Sequence, residues 1–194
     1  IPNFGSGTSY ACIDTGFKRN ASGLVILRWD DNRITTAEVL KLVPEKGKPL
    51  KPSAVFAKFA ERLRAHKVRS VAADQHYIEA AKEGLEEFNV VELPGGPTGK
   101  ADVYTRARDA MREHNVDIPS SAKDLIRQLK QVSYKLTTGG SIQIVSPVIN
   151  GQHGDEASAF AGAVWLAIER GPGSRVAAPP PVYSTPFDDQ SLGL

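Results

Sequence analysis

Apolar residues in this 194-residue chain change their spacing once, near residue 50, and that change constrains the fold more than any other feature. Before it they come in short, unbroken or β-branched runs at Tyr10–Ile13, Gly23–Trp29 and Arg33–Val43. Such runs, the first two joined by the polar segment Thr15–Ser22, predict three consecutive antiparallel strands. After it, helical and strand patterns alternate. Val55, Phe56, Phe59 and Leu63 predict a helix starting at Pro52–Ser53. Val68–Ala73 predicts a fourth strand, and Ile78, Ala81, Leu85 and Phe88 a second helix. Val90–Leu93 predicts a fifth strand, closed by Pro94-Gly-Gly-Pro97. Val103, Ala107, Met111 and His114 predict a third helix with Lys100 at its start, and Ser120 or Ser121 caps a short fourth through Leu129. Tyr134–Thr138 and Ser141–Val145 flank Gly139–Gly140 as a hairpin. The stripe Ala157, Phe160, Ala161, Val164, Trp165 and Ile168 predicts a final helix ending at Gly171. The expected class is α/β: a mixed central sheet, three antiparallel strands and then parallel ones, with helices on both faces.

Residues 1–8 read as an N-terminal linker, 9–170 as one domain, and 171–194, punctuated by Pro172, Pro179, Pro180, Pro181 and Pro186, as a Pro-rich tail. Lys and Arg number 24 against 22 Asp and Glu, a net charge of +2. That balance excludes a histone-like polycation and an acidic disordered chain, so nucleic acid can be bound only through a local patch. The single cysteine, Cys12, excludes a disulfide scaffold and a cysteine-based zinc site. No apolar run reaches membrane-spanning length and no secretory signal is visible, so neither membrane attachment nor secretion is expected. Cys12, Trp29, Met111 and Trp165 read as core.

Three acids carry the candidate chemistry. Asp14 follows the first strand, Asp74 follows the fourth, and Asp155, beside Glu156, opens the last helix. In this strand order the first and fourth strands can be neighbours, which brings Asp14 and Asp74 to adjacent strand ends. The last helix can deliver Asp155 to the same place. Carboxylates so close repel one another unless cations neutralise them. Oxygen-only ligands suit Mg²⁺ or Mn²⁺, and two such ions can activate a water and stabilise the leaving oxygen of a phosphodiester. Each acid also has a plain structural reading: Asp14 as a turn residue, Asp74 as the cap of a helix near His76, Asp155 as a first-turn acid.

The segments Ala11-Cys-Ile-Asp-Thr-Gly16 with Gly23-Leu-Val-Ile-Leu27, Val71-Ala-Ala-Asp74, Gly139-Gly-Ser-Ile-Gln143 and His153-Gly-Asp-Glu-Ala-Ser-Ala-Phe-Ala161 occur in that order. Together they resemble the C-terminal nuclease domain of the large terminase subunit of tailed bacteriophages, within the ribonuclease H-like, or retroviral-integrase-like, fold. The resemblance spans Ser9 to about Arg170. It implies a metal-dependent endonuclease that cuts double-stranded concatemeric viral DNA during packaging, with Asp14, Asp74 and Asp155 as catalytic and metal-binding residues for two ions, Mg²⁺ or Mn²⁺. It places Glu156 as a further ligand. It implies as partners double-stranded DNA, an N-terminal packaging ATPase, the portal and the small terminase subunit, all in the host cytoplasm. Gly95-Gly-Pro-Thr-Gly-Lys100 lacks the Ser or Thr and the spacing of a phosphate-binding loop, so the ATPase is expected outside this chain.

Basic residues supply the expected DNA contacts. Lys18 and Arg19, in the first hairpin loop, and Lys100 are the candidates because their loops can border the acids. Arg106, Arg108, Arg112, Lys123, Arg127, Lys130 and Lys135 add further basic groups, whose plainer reading is a solvated helix face. Such contacts bind phosphates without reading sequence. His153 is a possible auxiliary that positions a phosphate or a ligand carboxylate. The 133–145 hairpin is either the edge of the sheet or a gate over the groove. Rival readings are a Holliday-junction resolvase-like nuclease, an actin-like or sugar-kinase ATP-binding domain suggested by Ile13-Asp-Thr-Gly16, and a non-catalytic docking module of a packaging motor.

Overall fold

The computed structural model describes residues 7–17, 20–31, 33–45, 47–113, 115–136, 138, 142–146, 148–149 and 152–171. Strands β1 (Thr8–Asp14), β2 (Ser22–Asp30) and β3 (Arg33–Leu42) form the expected antiparallel meander. Helix α1 (Pro52–Ala65) follows, with Pro in its first turn, where the missing N–H costs nothing. Strand β4 (Ser70–Ala73), a 3-10 turn (Gln75–Tyr77), α2 (Ile78–Gly84), β5 (Asn89–Glu92) and α3 (Gly96–Arg112) come next. A short edge strand β6 (Val116–Asp117) precedes α4 (Lys123–Gln131). The chain continues through the hairpin β7 (Ser133–Leu136) and β8 (Ile142–Val145), the pair β9 (Val148–Ile149) and β10 (Gln152–His153), and α5 (Asp155–Arg170).

The central sheet has the order β5-β4-β1-β2-β3-β6. β1 is antiparallel to β2 and parallel to β4, so it is buried on both sides and both faces. That explains its nearly continuous apolar run. Ala11, Ile13, Leu24 and Ile26 face α1 and α2, where Phe56, Phe59 and Leu63 fill one core. Tyr10, Cys12, Val25 and Leu27 face α3, α4 and α5, where Phe160, Val164 and Leu166 fill the other. Cys12 is buried, and Trp29, Met111 and Trp165 pack against the second core, as read from the sequence.

Helix α5 lies unusually close to the sheet. A Cβ on Gly162 would stand 2.4 Å from the Cys12 sulfur, and a Cβ on Gly23 would stand 2.9 Å from the Asp155 carbonyl oxygen. Neither is a distance real side chains adopt, so glycine at both positions permits the approach. Both ends of α5 are tied down. The Tyr10 hydroxyl donates to the Arg170 carbonyl at 2.8 Å. Gly154 offers no capping side chain, and Gln128 of α4 takes that role: its Oε1 accepts from the Ala157 N–H at 2.9 Å.

Several boundaries differ from the sequence expectation. α2 stops at Gly84, so Leu85 is its C-cap and Phe88 lies beyond it. α3 begins at Gly96, not Lys100, which makes the glycine-rich segment its first turn, with Gly99 tucked against Pro94. The N-cap of α4 is Ala122 rather than Ser120 or Ser121. The hairpin forms a two-stranded sheet of its own rather than an edge of the main one. Gly139, Gly140 and His114 lie outside the described residues, as do residues 1–6 and 172–194 of the expected linker and tail.

A second polar anchor joins α1 to β3. Glu38 accepts from Arg62 Nε at Oε1 and from Arg62 Nη2 at Oε2, at 2.7 and 2.8 Å, and His66 Nε2 is 2.7 Å from the same Oε2. Burial pushes the Glu38 carboxyl up, but the hydrogen bonds from Arg62 and His66 outweigh it and hold it below its usual range. A carboxylate with a lowered folded pKa contributes stability above its unfolded value and loses it as pH falls through the folded one. Glu38→Gln should therefore cost about 1–2 kcal/mol at neutral pH, allowing for solvent around Arg62, or roughly 2–8 °C in melting temperature. The gap between variant and wild type should close as pH falls below 4.5, the ordinary value. A gap of the same size at pH 3 and pH 7 would show that Glu38 is not anchored as a carboxylate.

Candidate active site

The three acids sit where the strand register puts them. β1 and β4 pair in parallel through Ile13 and Ala73, so Asp14 and Asp74 are the next residues at neighbouring strand ends. Asp14 is cross-strand from Gly23, and Gly23 carries the first turn of α5 against it. Asp155 is thereby delivered beside Asp14. All three line one cavity of about 490 Å³, with Asn20, His76, Lys100, Tyr104 and Ser146 among its other walls.

Each acid has its own environment. Asp74 caps the 3-10 turn, its Oδ1 accepting the His76 N–H at 2.7 Å. The plain capping role read from the sequence is thus real, and it fixes the orientation of this carboxylate in the wall. Asp155 is 5% exposed, and its Oδ2 has no hydrogen-bond partner among the described residues. Burial first, then the Asp14 charge, push its carboxyl up to about 7, against the pull of Lys41. The Cys12 thiol, beneath the acids, is pushed well up by burial and then by the Asp14 and Asp74 charges.

Carboxylates line the site, and one of them, Asp155, is buried with its Oδ2 unpartnered among the described residues. That chemistry fits a hard divalent cation. Among the described residues no three His, Cys, Asp or Glu side chains already converge on one point. The carboxylates line a wall rather than close a cage. Mg²⁺ tolerates this, since it commonly keeps several waters and uses one or two carboxylates.

Glu156 is placed elsewhere. It is buried, does not line the cavity, and takes a hydrogen bond from Gln128 Nε2 at 2.6 Å. Adjacent residues on a helix point about 100° apart, which turns Glu156 toward α4 when Asp155 faces the acids. Lys100 does line the cavity; its Nζ donates to Ser146 Oγ at 2.9 Å and stands 5.9 Å from the Tyr104 ring centre. Tyr104 is buried, and burial raises its phenol to about 12; Ser146 and Ser158 flank the hydroxyl and offset part of that without meeting hydrogen-bond geometry. Lys18 and Arg19 lie outside the described residues, and for His153 only the backbone, in β10, is described. Arg106, Arg108 and Arg127 are ion-paired with Asp102 and Glu169, Asp109, and Asp124, as expected of a solvated face.

Two residues were missed in the sequence. Lys41 is cross-strand from Gly23, which completes a row Asp14–Gly23–Lys41, and its charge favours ionisation of both Asp155 and Glu156. Counting register through two antiparallel pairs would have found it. Gln128 falls on the buried stripe of α4 with Leu125 and Leu129, so its spacing was the available signal.

No model of a known protein family matches the sequence, and no curated protein matches it. Solved structures do. The large terminase nuclease of thermophilic phage G20c superposes with a TM-score of 0.67 at 18% identity, covering 81% of this chain and 81% of that one. The same nuclease with bound magnesium gives a TM-score of 0.67 at 18% identity, over 85% of this chain and 82% of that one. The HK97 bacteriophage large terminase gives 0.71 at 16% identity, covering 86% of this chain; the match spans 41% of that longer protein. The chain therefore has the ribonuclease H-like fold that these phage large-terminase nuclease structures share.

Proposed function

We propose that this chain is a divalent-cation-dependent endonuclease that cuts double-stranded concatemeric DNA in a phage packaging machine. The observation that carries the reading is the placing of Asp14, Asp74 and Asp155, from two strand ends and a helix start, around one open cavity. The magnesium-bound G20c nuclease, of the same fold, supports it.

In this reading Asp14, Asp74 and Asp155 hold two ions, Mg²⁺ or Mn²⁺. Bound there, such ions supply an activated water and neutralise charge on the phosphate and the leaving oxygen. The protein's own groups do the rest. Asp74 is oriented by its cap on His76, and Asp155 by the anchoring of α5. Glu156 acts as a positioning residue, tying the first turn of α5 to Gln128. Lys41 offsets the crowding of negative charge. Lys100 offers its ammonium to a backbone phosphate by exchanging Ser146 for it. The partners are double-stranded DNA, a packaging ATPase on the N-terminal side, the portal and the small terminase subunit, and the place of work is the host cytoplasm. No helix among the described residues is long and apolar enough to cross a membrane.

Asp14→Asn, Asp74→Asn and Asp155→Asn should each reduce plasmid cleavage in Mg²⁺ or Mn²⁺ to the level seen with chelator, while circular dichroism stays close to wild type. Wild-type cleavage by all three removes the assignment. Without cations Asp155 titrates near 7 in the fold against 3.8 ordinarily. Between those values the folded state binds more protons than the unfolded, so stability falls as pH rises from about 4 to about 7 and then levels off. Asp155→Asn should flatten that slope, and Mg²⁺ should raise the melting temperature more at pH 8 than at pH 5. An equal shift at both would detach Asp155 from the cation. DNA affinity should fall steeply between about 50 and 200 mM salt, and Lys100→Gln should lower the log–log slope by about one.

A further inference from the structure

The acid-lined cavity continues into a second one of about 630 Å³, with Asp14, Asn20, Asp74 and His76 common to both. The far wall of the second is aromatic, made by Phe17 and Tyr77. Phe17 and Tyr77 meet edge to face at 5.1 Å and 83°, and His76 meets Tyr77 at 4.9 Å and 87°. Edge-to-face contact sets neighbouring rings nearly at right angles, so the wall presents rings in more than one orientation. Phe17 packs on the α1–α2 core and on Phe56, but Tyr77, although half-buried, belongs to neither apolar core. The wall is held in place. Ser22 bonds both the N–H and the carbonyl of Gly16, at 3.2 and 2.7 Å, and the Leu50 N–H donates to the Phe17 carbonyl at 2.8 Å.

We propose that this second cavity is a nucleobase subsite, in which an unpaired base next to the cut phosphate stacks on Tyr77 and Phe17. The proposal rests on the nucleic-acid reading above and names which part of the ligand enters there. The described lining combines the aromatic rings of Phe17 and Tyr77 with polar groups, which suits a nucleobase. A base is neutral and flat. Thr15 and Asn20 offer polar groups to its edge, and the aromatic wall offers the stacking that single-strand-binding sites use whatever the base. A base reaches the subsite only out of its stack, so DNA that is frayed or unpaired at the cut enters at lower cost than intact duplex.

The test compares two single strands of about 20 nucleotides with equal numbers of phosphates, one of thymidine and one abasic throughout, binding the full chain by fluorescence anisotropy at low salt with chelator present. Wild type should bind the thymidine strand about tenfold more tightly than the abasic one. Tyr77→Phe should keep that preference. Tyr77→Leu, with an unchanged melting temperature, should lose it and still bind the abasic strand as wild type does; Phe17→Leu is the second probe. Equal wild-type affinity for the two strands, or a preference surviving in both leucine variants, overturns the subsite and leaves the nuclease reading standing. Binding of neither strand, together with no metal-dependent plasmid cleavage, overturns both.

Discussion

The approach of α5 to β1 and β2 is the constraint on which the site depends. Gly162 lets the helix lie on Cys12, and Gly23 lets its first turn lie beside Asp14. A bulkier residue at either place would lift the helix from the sheet and carry Asp155 away from the strand ends. Close approach alone does not fix rotation about the helix axis. Tyr10 at one end and Gln128 at the other do that. Gln128 holds both the Ala157 N–H and the Glu156 carboxylate, and with those held Asp155 has one direction left to face.

That placement works against the stability of the protein alone. Asp155 is buried, lacks a partner for one oxygen among the described residues, and feels the Asp14 charge. Lys41 compensates in part, across Gly23 from Asp14. On the proposed reading, cations bound there would relieve that cost and couple binding to folding, because whatever binds only the folded state stabilises it. The anchors at Tyr10 and Gln128 and the glycine contacts hold a turn of helix that its own charges disfavour.

Much of this was legible in the chain. The β1–β2–β3 meander, α1 and α5 showed strong periods, because each buries a full face or stripe in one of the two cores. The strand ends at Asp14 and Asp74 followed from those periods. What was not legible has little periodicity of its own. β6, β9 and β10 are two residues each and exist through pairing. The start of α3 in Gly96-Pro-Thr-Gly runs against helix propensity and is upheld by packing of Gly99 on Pro94. The resemblance implies a ligand role for Glu156 beside Asp155, but neighbours on a helix face different ways, and Gln128 claims it. Lys41 carries no signal of its own in the sequence, because its importance lies in register across two neighbours.

The hairpin enters the same physical picture. It is a separate sheet, so moving it breaks no hydrogen bond of the central one. Its link to the acids runs through Ser146, just past β8, which accepts from Lys100. Tyr104, under Lys100, also lines an apolar groove of about 290 Å³ with Met111, Leu129, Tyr134 and Ile144, where the hairpin meets α3 and α4. Displacing β7 and β8 therefore removes the Lys100 partner and uncovers one side of Tyr104 together. On the proposed reading, a phosphate drawn to the Lys100 ammonium would share its three donors with Ser146, and would so sit against the groups that close the end of β8 over Tyr104.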